Sequence, residues 1–328
     1  MEPDPDTAQW YRNFARQARG HSPAYEHLAT EIAADAELLA LLAELPVASR
    51  QPNLLLAATQ YHQGPVEDYT RFRAWALDNW SALRHTMLYR RTQTNEVGRC
   101  ATLLPVLAAL PQPLALIEVG ASAGLCLYPD RYRYRYAGRG ELGPADSPVV
   151  LDCAVDGAAP LPDRLPEVVL RAGIDLNPLD VTDTDDVQWL ESLIWPGQPE
   201  RVRLLHDAVS VARAEPPQLV RGDLNTSLQE LLAQVPTGAT PVVLHTAVLA
   251  YLSPQQRASF AESMREMAGY WISNESPSVF PEIRQRITVA EPTDRETFLL
   301  AVNGHPVAFT APHGQSMTWF ADAVPAAR

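Results

Sequence analysis

The chain has 328 residues, 46% of them hydrophobic and 20% charged, a globular composition with material for two domains or for one domain with a large extension. Its 39 acidic and 26 basic residues give a formal net charge of -13, which works against long contact with phosphate backbones and argues against a nucleic-acid substrate. Cys100, Cys126 and Cys153 form no C-x-x-C pair and are odd in number, so neither a disulfide framework nor a zinc site is expected, and no metal-ligand set stands out.

The chain opens on Met1-Glu2-Pro3-Asp4-Pro5-Asp6, an acidic start without the basic and apolar regions of a signal peptide. Apolar stretches such as Leu38 to Leu45 are too short to span a bilayer. A cytoplasmic protein without a membrane partner is the expectation. Residues 7–110 read as helices throughout, an N-terminal all-α domain over 1–112. Ser22-Pro23 is a cap and first-turn pair, and the apolar stripe from Leu28 to Leu45 breaks near Asp35. Asn53 and Asn95 are placed to cap later helices.

After Pro113 the pattern changes, and 113–328 reads as one ligand-binding domain. Short apolar runs at Leu114–Ile117, Val168–Leu170, Leu219–Val220, Pro241–Leu244 and Tyr270–Ile272 are those of strands buried on both faces. Helical segments at 186–195, 201–214, 228–235 and 254–268 separate most of them, which predicts a mostly parallel sheet. Two runs around Asn303-Gly304 predict a C-terminal antiparallel hairpin closing that sheet. Tyr132–Tyr136 and Val149–Val155 predict a hairpin inserted at about 131–156, after a short helix.

The first strand runs into Glu118-Val119-Gly120-Ala121-Ser122-Ala123-Gly124-Leu125. Gly120 and Gly124 permit close backbone approach, and a following helix would present free N–H groups. The spacing G-x-x-x-G is not the dinucleotide pattern, and no Gly-Lys-Ser/Thr follows. An acid at the loop entrance suits a ligand carrying an amino group and a carboxylate. This loop resembles motif I of the class I methyltransferases, a Rossmann-like α/β fold, with Glu118 as its acid and Ser122 where glycine is usual. The resemblance implies S-adenosylmethionine as cofactor, bound by Glu118, Gly120, Ser122 and Gly124. It implies Asp175 at the second strand's end for the ribose hydroxyls and Asp223 for the adenine amine. His245 and Thr246, ending the fourth strand, are the candidate base and a further cofactor contact, with a satisfied buried histidine the equal alternative for His245. Asp175 lies 57 residues after Glu118, where a nucleotide-binding crossover needs about 20.

Thr94-Asn95-Glu96-Val97-Gly98-Arg99, the Glu118–Leu125 loop, Gly173-Ile174-Asp175-Leu176-Asn177-Pro178-Leu179-Asp180 and Pro312-His313-Gly314 together resemble an uncharacterised bacterial family, domain of unknown function 2332. That family implies no activity. Glu96, Arg99 and His313 are candidate substrate-binding residues; Asn95 capping and a turn at His313 are the plainer alternatives. Arg131, Arg133 and Arg135 share one strand face, either a solvated face or an anion patch. The expected activity is methyl transfer to O or N of a small molecule, with the helical domain over the sheet's C-terminal edge. The alternatives are a non-catalytic binder of a nucleoside-type ligand or protein partner, and another nucleotide-dependent enzyme.

Overall fold

The computed structural model describes residues 6–93, 95–293 and 296–326. They divide into two compact units, one of Met1–Thr94 with Thr182–Arg203, the other of Asn95–Val181 with Leu204–Arg328. The fold is mixed α/β, and no helix among the described residues is long and apolar enough to cross a membrane.

In chain order, the first unit contains α1 (Thr7–Ala18), α2 (Pro23–Ile32), α3 (Ala36–Ala43), α4 (Pro52–Tyr61), α5 (Tyr69–Asp78) and α6 (Trp80–Tyr89). Next, α7 (Cys100–Ala109) belongs to the second unit, whereas α8 (Thr184–Ser192) and the start of α9 (Pro199–Ala214) belong to the first. Ser22 accepts the Tyr25 N–H with Pro23 in the first turn, and Asp35 accepts from the Glu37 and Leu38 N–H groups, which splits the apolar stripe into α2 and α3. Asn53 does not cap: α4 begins at Pro52, and Asn53 Oδ1 accepts from the Trp195 indole at 3.0 Å. Segment 182–203 is structural for this unit. Trp189 is fully buried and donates to the Arg91 carbonyl, and Gln60 donates to the carbonyls of Ser192 and Ile194.

The second unit holds one sheet. Its strands are β1 (Leu114–Val119), β2 (Arg133–Tyr136), β3 (Glu141–Leu142), β4 (Val150–Asp156), β5 (Val168–Asp175), β6 (Gln218–Arg221), β7 (Thr240–Thr246), β8 (Tyr270–Glu275), β9 (Phe298–Val302), β10 (His305–Thr310) and β11 (Ser316–Trp319). They lie in the order β3-β2-β4-β11-β10-β9-β8-β7-β1-β5-β6. From β6 to β8 every pairing is parallel, and strand order reverses between β1 and β7. In open parallel sheets such a reversal is where ligands bind, outside the strands' C-terminal ends. The helices α10 (Leu224–Leu232) and α11 (Pro254–Glu266) cover one face, where Leu228, Phe260 and Met264 share a core with Ile117, Val119, Ala172, Ile174 and Val243.

Three expectations change in detail. Asn303 and Gly304 both take positive φ, as a tight two-residue hairpin turn needs, but the hairpin β9-β10 does not close the sheet. β10 pairs with β11, which runs parallel to β4 and so joins the inserted segment to the main sheet. Within that segment β2 and β4 are neighbours but parallel; the antiparallel partner of β2 is the two-residue β3. Finally, no α-helix follows β1. The loop passes into a single 3-10 turn, Leu125–Leu127.

Candidate functional site

Period two in β1 sets the site's floor. Ile117 and Val119 enter the helix-covered core, so Glu118 projects from the opposite face. Register carries this parity across the sheet: Glu118 neighbours Gly173 in β5 and Leu244 in β7, which puts Arg171 and Asp175 on the face of Glu118 and Thr246 on it too. Glu118 is 4% exposed, and its Oε2 has no hydrogen-bond partner among the described residues. Burial pushes its carboxyl well above the ordinary value; the neighbouring Cys126 and Asp175 add to the rise, while Arg99 opposes it.

The loop above Glu118 alternates left-handed residues: φ is +69° at Gly120, +51° at Ser122 and +71° at Gly124. A Cβ on Gly120 would stand 2.4 Å from Val248 Cγ2, so only glycine fits there. Ser122 donates its N–H to Asp175 Oδ2 at 2.8 Å, and Asp175 Oδ1 accepts the Asn177 N–H at 2.7 Å. The Ser122 hydroxyl is buried and has no partner among the described residues. Asp175 therefore does meet the Glu118 loop despite the long insertion.

A second layer joins motifs far apart in the chain. Asn95 is not a helix cap. Its Nδ2 donates to the Ala121 carbonyl and its Oδ1 accepts the Leu125 N–H at 2.8 Å, so it straps the loop from both ends. Arg99, 4% exposed, donates to the Pro312 carbonyl at 2.8 Å and to Thr246 O and Oγ1 at 3.0 and 3.2 Å, with its guanidinium 5.4 Å from the Phe298 ring centroid. Glu96 Oε2 lies 2.7 Å from Nδ1 of His313. A Cβ on Gly314 would stand 2.0 Å from the Gly98 carbonyl oxygen, so the two turns touch backbone to backbone. Three of the motifs named above thus meet in one layer. The chain matches, over residues 8–319, the family described as an uncharacterized protein conserved in bacteria (DUF2332). It belongs to that family. No curated protein matches the chain.

In this DUF2332 protein two expected residues stand apart from the cluster. Asp223 caps α10 through the Asn225 N–H, and its hydrogen bonds stay within that turn. Of the two readings of His245, its surroundings are those of a buried histidine with satisfied ring nitrogens. Parity puts it on the Val243 face, opposite Glu118, with no exposure. Its Nε2 accepts from the Trp271 indole at 2.9 Å, and indole nitrogen only donates, so Nδ1 carries the proton toward Glu275 Oε1 at 2.7 Å. Neither nitrogen is left for a substrate. The arginine face is ion-paired: Arg133 with Glu141, Arg135 with Asp152, Arg131 with Glu215.

Two residues of this edge escaped the sequence reading. One is the bridging role of Asn95. The other is Glu275, which ends β8 and whose Oε1 also accepts the Val248 and Leu249 N–H groups, shaping the turn that covers Gly120. The available signal was an acid at a strand's C-terminal end, as at Glu118 and Asp175.

Proposed function

We propose that this protein binds S-adenosylmethionine at the C-terminal ends of β1 and β5, on a class I methyltransferase-like Rossmann domain, and transfers its methyl group to O or N of a small molecule. The observation that carries this reading is the buried, unpartnered Oε2 of Glu118 beneath a loop of alternating left-handed residues. An orphaned buried carboxylate costs stability unless something else satisfies it. A cationic amino group would do so, and would favour the ionised form that burial disfavours. The unpartnered Ser122 hydroxyl offers a donor for the ligand's carboxylate. Asp175, at the end of β5, holds the Ser122 N–H, and the following Leu176, 72% exposed, offers apolar surface for a base.

The same features disfavour a dinucleotide. A pyrophosphate is held by free N–H groups and the positive end of a helix. Here a three-residue 3-10 turn stands in that place, the Leu125 N–H is taken by Asn95, and an acid lies below. When bound, S-adenosylmethionine supplies an activated methyl group; this chain supplies the binding and positioning. The full engagement of His245 favours a binding-only reading over catalysis by that residue. Calorimetry and thermal shift with S-adenosylmethionine, S-adenosylhomocysteine, NAD and ATP test the proposal. Binding and a raised midpoint are expected with the first two. Stabilisation by NAD and not by S-adenosylhomocysteine would overturn it.

A further inference from the structure

We propose that Glu96 and His313 form the proton-accepting dyad of this site, with His313 as general base toward an alcohol, phenol or amine acceptor; the inference rests on the methyl-transfer reading above. The two residues are 217 positions apart in sequence and 2.7 Å apart in space. The Glu96 side chain is 5% exposed and the His313 side chain 41%, so a buried carboxylate stands behind a ring that reaches solvent. A carboxylate only accepts, which fixes the proton on Nδ1 and turns a lone pair on Nε2 outward. Nε2 has no partner among the described residues. This is the arrangement a base needs: one nitrogen oriented by an acid, the other presented.

The dyad is anchored to the candidate site. Glu96 follows Asn95, which straps the Glu118 loop, and precedes Arg99, which binds Thr246 at the end of β7 and the carbonyl of Pro312 beside His313. The Gly98–Gly314 contact holds both turns in register. Competing groups are committed: both nitrogens of His245 are engaged on the other face, and Asp175 accepts two backbone N–H groups. A carboxylate or thiolate acceptor needs no base, so a site that keeps one fits an acceptor that must lose a proton. As the acceptor's lone pair forms its bond to the methyl carbon, the carbon–sulfur bond breaks and its electron pair stays on sulfur. The acceptor's proton passes to His313 Nε2 and from there to water. His313 is the catalytic residue, and Glu96 the positioning residue that orients its ring.

The full-length protein is assayed with labelled S-adenosylmethionine and a deproteinised bacterial extract as acceptor pool, alongside S-adenosylhomocysteine calorimetry. His313→Ala is expected to keep S-adenosylhomocysteine affinity and lose transfer by roughly 10²–10⁴-fold, with partial recovery on adding free imidazole. Glu96→Gln is expected to lower kcat with that affinity unchanged. Independently of activity, diethyl pyrocarbonate is expected to modify His313 and spare His245, as read by peptide mass. Unaltered transfer in His313→Ala, loss without imidazole recovery, or a His313 inert to the reagent would each overturn the dyad. Wild-type protein that binds S-adenosylhomocysteine but transfers no label overturns the base role and leaves cofactor binding standing. Wild-type protein that binds neither cofactor form overturns the methyl-transfer reading itself.

Discussion

At the residue scale, Glu118 sets the properties of the site. Its folded-state carboxyl is raised by burial above the ordinary 4.5, so the folded chain holds a proton over a pH range where the unfolded chain has released it. Stability must then fall as pH rises from about 4.5 through that range. Glu118→Gln removes this dependence. Its unfolding midpoint is expected above wild type at neutral and alkaline pH, with the two curves converging below pH 4.5. The same variant should weaken S-adenosylhomocysteine binding roughly 10- to 100-fold, because a charge-assisted hydrogen bond to the amino group is lost. Calorimetry beside urea unfolding at several pH values reads both. A variant less stable than wild type at neutral pH would show that Glu118 is satisfied within the protein. The glutamate and its loop were legible in the sequence as an acid before small residues. That Oε2 is orphaned was not, because hydrogen-bond satisfaction depends on what folds over the strand.

At the element scale, the loop after β1 is held by side chains rather than by a helix. The sequence suggested a helix N-terminus after Gly124, since that is how such loops usually end; the structure gives the 3-10 turn Leu125–Leu127. Tyr132 and Tyr134, buried on β2 and just before it, donate to the carbonyls of Leu125 and Pro129 and draw the chain into the inserted strands instead. Asn95 accepts the Leu125 N–H, which the first turn of a helix would have left free. Asn95→Ala is therefore expected to cost about 1–3 kcal/mol, the usual consequence of stranding partly buried partners. Amide exchange at Leu125 should accelerate with it, and an unchanged Leu125 exchange rate would contradict the strap. Asn95 was visible as a cap-forming residue, but capping was assigned to the nearest helix in sequence, whereas its actual partners lie 26 and 30 residues downstream.

At the scale of the whole molecule, the chain leaves its sheet between β5 and β6 to complete the helical unit. Trp189, in this excursion, is fully buried, lies edge-on to Tyr61 and carries Arg90 over its ring. Trp189→Ala should destabilise by about 3–5 kcal/mol in chemical denaturation, with faster exchange in α4. Loss under about 1 kcal/mol would mean that the segment is peripheral, since surface substitutions stay near ±0.5. The sequence by itself determined the strands β1 and β5 to β10, the helices between them, the cap at Ser22, the helix break near Asp35 and the acid-then-glycine loop. Each of these follows from local periodicity, propensity or a short-range hydrogen bond. Only the tertiary structure decided which candidates share a face. His245 and Thr246 are adjacent in sequence, and alternation along β7 sends them to opposite sides of the sheet. Which of them joins Glu118 depends on strand register, and register is set by long-range packing that no local pattern encodes. The meeting of Glu96 with His313 is likewise a product of strand order, which carries the end of β10 to the same sheet edge as the end of β1.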